Sequence, residues 1–215
     1  MNIPDNWTFK NADIAESFDT HVREQLPWYN IATSMTAHFV RNYLPENGVF
    51  IDLGCSTGNI SKACKETLIT RKAEILNIDN SSEMIQRFTG IGKIINSNIE
   101  DFEIPEFDVC VMFLSMMFVP VRCRPDLIRN LVNKCRKGGA IIIIDKVEPL
   151  GGYSGQVINR LNLTNKLHSG CKPSDILDKE LSLSGVQRPI NPNLVKSFMK
   201  WFQVGEFCGY LFEGQ

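Results

Sequence analysis

The chain has 215 residues, 43% of them hydrophobic and 22% charged, which is enough for one sizeable core and short for two. Its formal net charge of −1 offers no global positive field for nucleic acid or an anionic membrane, and no apolar run reaches the ~20 residues that span a bilayer. The seven cysteines are scattered, odd in number and without a Cys-x-x-Cys pair, and the start lacks the basic-then-apolar pattern of a targeting segment, so the expectation is a cytoplasmic protein with reduced thiols.

Residues 1–47 are helical in pattern, with Phe18, Val22 and Leu26, then Ile31, Met35, His38 and Phe39. An apolar run at 49–53 predicts a buried strand, followed by a helix that starts after Ser56-Thr57-Gly58-Asn59 and runs through Lys65. Further strands are predicted at 73–78, 93–95, 107–113 and 140–144. Residues 125–135 read as an amphipathic helix with Leu127, Ile128, Leu131 and Val132 on one face. Lys137-Gly138-Gly139 is expected to stop that helix just before the fifth strand. Residues 151–198 form an insertion, helical at first and then rich in Gly, Pro and Ser. Two short aromatic segments around Val204-Gly205-Glu206 predict a hairpin that closes the sheet edge, antiparallel to the rest. The alternation implies one α/β unit over 1–215, with a mostly parallel sheet and helices on both faces.

The first strand ends in Asp52 and breaks into Leu53-Gly54-Cys55-Ser56-Thr57-Gly58-Asn59. Glycines there let the backbone approach a ligand that a Cβ would block. A nicotinamide site wants Gly-x-Gly-x-x-Gly, and the missing glycine disfavours a dehydrogenase. Asp79 closes the second strand about 20 residues further on, where an acid can accept from both hydroxyls of a ribose; the plainer role is a turn aspartate capping the helix that starts at Ser81. His21, His38 and His168 lie far apart and no metal spacing is present, so no metal is expected. His38 is expected to be a satisfied core or rim residue, and Met116, Met117 and Phe118 core or pocket wall.

The glycine loop resembles motif I of class I S-adenosylmethionine (SAM) methyltransferases. That resemblance implies a Rossmann-like, seven-stranded, mostly parallel sheet with an antiparallel C-terminal strand. It also implies that Asp52 supports a methionyl ammonium, with Ser56 and Thr57 as loop contacts and Cys55 as small packing. Asn98 would sit where an acid often accepts from an adenine amino group, and Ile99 would pack on the ring.

The flanks narrow the resemblance. Asn6-Trp-Thr-Phe9, Phe18, Leu26-Pro-Trp-Tyr29, the Asp52–Gly58 loop, Ile78-Asp-Asn-Ser81, Met84-Ile85, Lys137-Gly-Gly139 and Trp201-Phe-Gln203 are together similar to the carboxy-SAM synthase family. Members of that family are homodimers that convert SAM and prephenate to carboxy-SAM for tRNA wobble-uridine modification. The resemblance implies ligand contacts by Tyr29, Gly54, Cys55, Ser56, Asp79, Asn80, Asn98 and Ile99, with Gly58 completing the loop. Two positions depart from it. Glu180 stands where the family has an arginine that holds the extra carboxylate, and Phe113 stands where it has an asparagine. A glutamate there repels a ligand carboxylate, so SAM is expected over carboxy-SAM, with Lys179 or Arg188 as substitutes if the register slips.

The first expectation is a SAM-dependent methyltransferase-like enzyme that takes SAM, or its product S-adenosylhomocysteine, with an unidentified small-molecule acceptor. Its catalytic residue is unassigned, Tyr29, Lys146 and Arg188 being candidates at the pocket mouth. The alternatives are a carboxy-SAM synthase and a non-catalytic SAM-binding protein. A homodimer is implied by the resemblance alone.

Overall fold

The computed structural model describes residues 7–215, so Asn6 and the start of the predicted helical extension lie outside it. In chain order the elements are α1 (Ala12–Gln25), α2 (Tyr29–Tyr43), β1 (Val49–Leu53), α3 (Asn59–Ala63), α4 (Lys65–Thr70), β2 (Glu74–Asp79) and α5 (Ser82–Ile85). Then come β3 (Lys93–Asn96), β4 (Phe107–Phe113), α6 (Arg124–Lys134), β5 (Cys135–Lys146), α7 (Gly152–His168), α8 (Pro173–Ser182), β6 (Met199–Val204) and β7 (Phe207–Glu213).

The seven strands form one sheet in the order β3-β2-β1-β4-β5-β7-β6. The first five are parallel, and β7 pairs antiparallel with both β5 and β6. The hairpin therefore extends the sheet with β7 inside it and β6 at its edge. From β1 the chain moves out through β2 and β3, then returns to lay β4 on the other side of β1. Such a reversal leaves a crevice at the carboxyl ends of the central strands, where open α/β sheets bind ligands.

β1 and β4 are buried along their whole length because helices cover both faces. Alternate residues serve two cores. Ile51, Leu53, Cys110, Met112, Ile141 and Ile143 face α6, which contributes Leu127, Ile128 and Leu131. Phe50, Val109, Val111, Ile142 and Ile144 face α2 and the α3–α4 pair, through Ala32, Val40, Ile60 and Leu68.

Several local expectations are corrected. The helix after the glycine loop breaks at Cys64 and resumes as α4. Lys137-Gly138-Gly139 does not stop α6, which ends at Lys134; it belongs to β5. The glycines are needed there because Gly138 has φ +78° and a Cβ on Gly139 would lie 2.3 Å from the Asp108 carbonyl oxygen on β4. The Gly/Pro/Ser-rich part of the insertion contains α8, whose first turn carries Pro173. α2 buries Tyr29, Ala32, Thr36 and Val40, so Ile31, Met35 and His38 are on its exposed side.

The aromatic signature residues join distant parts of the chain. Trp28 packs on Phe202 and Phe207 with ring centroids 5.3 and 5.0 Å apart, and Phe39 packs on Trp201 at 4.7 Å. These contacts hold α2 against the C-terminal hairpin.

Candidate functional site

A cavity of about 210 Å³ opens at the carboxyl ends of β1, β2 and β4. Of the residues expected there, Tyr29, Asp52, Gly54, Cys55, Ser56, Asp79, Asn80 and Ile99 line it. Gly58 and Asn98 are placed outside the lining. Gly58 has φ +85° and immediately precedes α3, and a Cβ on it would lie 2.6 Å from the Gly90 nitrogen, so its bareness serves packing between loops. Asn98 accepts from Asn80 Nδ2 at 2.8 Å and donates to Asp101 at 2.7 Å, which occupies its side chain.

Two carboxylates set the polar end. Asp79 Oδ2 accepts from the Ser56 amide at 2.8 Å and Oδ1 from the Ser81 amide at 2.9 Å. Ser81 itself caps α5 through its hydroxyl. Asp79 thus joins the loop to the next helix while keeping an edge on the cavity, and burial raises its pKa against the pull of those amides. Asp52 is 1% exposed, and neither of its oxygens has a hydrogen-bond partner among the described residues. Burial first, and Asp79 second, push its pKa up to about 8.

An unpartnered buried carboxylate is costly unless something at the site satisfies it. A cationic group in the cavity would do so, and the ammonium and sulfonium of SAM supply such charge. The fit extends to the backbone. Gly54 has φ +83°, and a Cβ on it would meet Ser115 Cβ at 2.4 Å. Ser56 and Leu114, which both line the cavity, are non-glycine residues held at φ +51° and +58°. Strain of this kind, of order 1–3 kcal/mol at each residue, concentrates at ligand sites. The Cys55 thiol is pushed up by burial and by the two aspartates, which makes it a poor nucleophile.

Apolar residues complete the site, among them Phe118, which was expected as core or pocket wall. Phe9, Phe18 and Phe118 form an aromatic wall, Phe9 lying edge-on to Phe18 at 6.0 Å and to Phe118 at 5.0 Å. Met84 and Ile99 provide further apolar surface. Tyr29 meets Phe113 edge-on at 5.2 Å, so the phenylalanine at the expected asparagine position is part of the lining. Asp19 of α1 accepts from Thr57 Oγ1 at 2.7 Å and Asn59 Nδ2 at 2.6 Å, clamping α1 over the glycine loop. Thr57 is therefore bound to α1 and not to the cavity.

The other expected positions separate clearly. Arg188 is exposed and lines neither this cavity nor the one beside it. Lys146 faces Glu206 at 3.7 Å, and Glu180 accepts from Lys166 at 2.7 Å; all four belong to a neighbouring cavity.

A family model described as a methyltransferase domain matches residues 50–139, the stretch from β1 into β5. Solved structures share the fold. The plantazolicin methyltransferase BpumL in complex with S-adenosylhomocysteine superposes with a TM-score of 0.64 at 14% identity, covering 94% of this chain and 90% of that one. Human N-acetylserotonin methyltransferase in complex with SAM superposes with a TM-score of 0.60 at 14% identity, covering 96% of this chain but 57% of that longer one. With the sheet order, the antiparallel β7 and the loop after β1, these likenesses show that the chain has the class I SAM methyltransferase fold.

By sequence the chain is similar over most of its length to carboxy-S-adenosyl-L-methionine synthases. The carboxy-S-adenosyl-L-methionine synthase of Staphylococcus epidermidis is 27% identical over 97% of both chains. That of Shewanella sediminis is 24% identical over 91% of this chain and 88% of its own.

Proposed function

We propose that the protein binds SAM in the cavity at the ends of β1, β2 and β4 and transfers its methyl group to a small-molecule acceptor. The observation that carries this reading is Asp52, a buried carboxylate whose two oxygens have no hydrogen-bond partner among the described residues, inside a class I fold. Asp52 faces the methionyl ammonium, Asp79 and Asn80 the ribose, and Ile99 the adenine ring. Gly54, Cys55 and Ser56 form the floor, and Tyr29 closes the side against Phe113. The sulfonium is already an activated electrophile, so these residues mainly align donor and acceptor and exclude water. The aromatic rings on the apolar side also suit a cation.

The small molecule that copurifies with the protein, released and weighed by mass spectrometry, tests this. SAM or S-adenosylhomocysteine supports the reading, and a nicotinamide dinucleotide overturns it.

A second reading, favoured by the end-to-end similarity to the synthases, is that the chain makes carboxy-SAM. Glu180 and Phe113 weigh against it. Glu180 is paired with Lys166, and Phe113 offers no hydrogen bond to a carboxylate. We therefore expect SAM to bind at least tenfold more tightly than carboxy-SAM by calorimetry. Equal or tighter binding of carboxy-SAM, or formation of its mass from SAM and prephenate, would establish the synthase instead.

A homodimer belongs to the same proposal. Tyr153, Val157, Leu161 and Leu167 of α7 and Leu177 and Leu181 of α8 are exposed apolar side chains on the insertion, a surface suited to a second copy. Sedimentation of the purified protein at the mass of two chains is the expected result. No helix among the described residues is long and apolar enough to cross a membrane.

A further inference from the structure

A second cavity, of about 130 Å³, shares the wall of Phe9, Phe18, Leu114 and Phe118 with the first. Its size is close to that which admits a benzene-sized group. Trp7 and Gln25 line it, both buried, and Trp7 Nε1 and Gln25 Oε1 have no hydrogen-bond partner among the described residues. A buried donor and a buried acceptor left open in one cavity point to a ligand that satisfies them.

The same cavity holds Lys179. Its Nζ lies 2.8 Å from His21 Nε2 and 4.7 Å from the centroid of the Trp7 ring. Lys146 and Lys166 each have a carboxylate, Glu206 and Glu180, but no carboxylate among the described residues lies within 4.0 Å of Lys179. The groups around it come from several elements: His21 on α1, Lys166 on α7, Cys171 in the following turn, and Asp175 and Glu180 on α8. Burial and Lys166 lower the Lys179 pKa to about 7 against Glu180 and Cys171. Burial and Lys179 in turn lower that of His21 to about 4, so the imidazole is neutral and can accept an amine N–H.

We propose that this cavity is the acceptor site for a single-ring phenol or enol, and that Lys179 is the general base that takes the hydroxyl proton. The proposal rests on the first cavity being the SAM site. As the acceptor oxygen attacks, its proton passes to Lys179 Nζ and the new O–CH₃ bond forms. The S–CH₃ bond breaks with its electron pair remaining on sulfur, leaving a methyl ether and S-adenosylhomocysteine. Lys179 then returns its proton to solvent. A base works best when its pKa is near the operating pH, and a phenol of ordinary acidity (about 10) needs one. A carboxylic acid would arrive ionised and would not.

The test uses 4-cyanophenol as the probe, titrated into the full chain with and without saturating S-adenosylhomocysteine. Calorimetry in buffers of different ionisation heat counts the protons released at neutral pH. In the wild type the proton moves from phenol to the share of Lys179 that is neutral, about half at pH 7, so binding releases about half a proton and the phenolate absorption band appears. Lys179→Met is expected to bind the probe at least tenfold more weakly and without that band. Lys179→Arg keeps the charge but cannot take a proton, so its binding is expected to release one proton per probe; it carries the test if the methionine variant fails to fold. Equal proton release by wild type and Lys179→Arg would overturn the proposal. So would binding of S-adenosylhomocysteine without binding of the probe. Failure of S-adenosylhomocysteine to bind would instead count against the first cavity as the donor site, and the titration without it would still decide the role of Lys179.

Discussion

Replacing Asp52 by asparagine should stabilise the ligand-free protein and weaken its hold on SAM. In the folded chain the Asp52 pKa is pushed to about 8 from an ordinary 3.8. The unfolded chain therefore loses this proton near pH 4, while the folded chain keeps it until about pH 8. Between those values the unfolded state binds fewer protons, so stability falls as pH rises. At 1.36 kcal/mol per pH unit, the cost is about 4 kcal/mol at pH 7 and about 6 kcal/mol above pH 8. Asparagine removes this charge, so its gain should be near zero at pH 4 and grow toward pH 8. For a chain of this size, 4 kcal/mol corresponds to roughly 8–16 °C in Tm. Loss of a charge-assisted contact should weaken SAM binding about 10- to 100-fold. Denaturation followed by circular dichroism at pH 4, 6 and 8, with and without SAM, measures both effects. A pH-independent difference between wild type and Asp52→Asn, or a variant that binds SAM as well as wild type, would refute the reasoning.

Gly54→Ala should lower stability by about 1–3 kcal/mol, since the new Cβ meets Ser115 Cβ at 2.4 Å on a backbone at φ +83°; thermal denaturation reads this, and calorimetry should show at least a tenfold loss of SAM affinity. Arg124 is buried and donates to the carbonyls of Met117, Val119, Arg188 and Pro189 at 2.8–3.2 Å, tying the segment after β4 to the end of the insertion. Arg124→Met should cost roughly 3–5 kcal/mol in urea denaturation, and Arg124→Lys should restore only part of it because one ammonium cannot reach four acceptors.

The central sheet was legible where one signal dominated. The spans predicted for β1 and β4 agree with the structure, because both are continuous apolar runs in strands buried on both faces. Lys137-Gly-Gly139 was misread because a glycine pair marks a helix end as readily as a close approach between strands. The structure shows the second, with Gly139 against the Asp108 backbone. The buried face of α2 was also mistaken. Its inward stripe uses the small residues Ala32 and Thr36, whereas the larger Ile31 and Met35, which drew the reading, face outward.

Asp79, Asn80 and Ile99 follow the glycine loop in order at the ends of successive strands, so motif order and the resemblance together bring them to the first cavity. The second cavity has no such order. Lys179 meets His21 and Trp7 only because α8 folds back on α1, a contact between residues that no local pattern connects. Glu180, read from its position as facing the ligand, instead pairs with Lys166 in that neighbouring cavity.

The most direct test of the SAM site is a calorimetric titration of ligand-stripped protein with SAM, followed by displacement with S-adenosylhomocysteine and a parallel titration with NADH. One SAM per chain, displaced by S-adenosylhomocysteine and absent for NADH, is the predicted result. No SAM binding by folded protein, or NADH competing for the same cavity, would contradict the account.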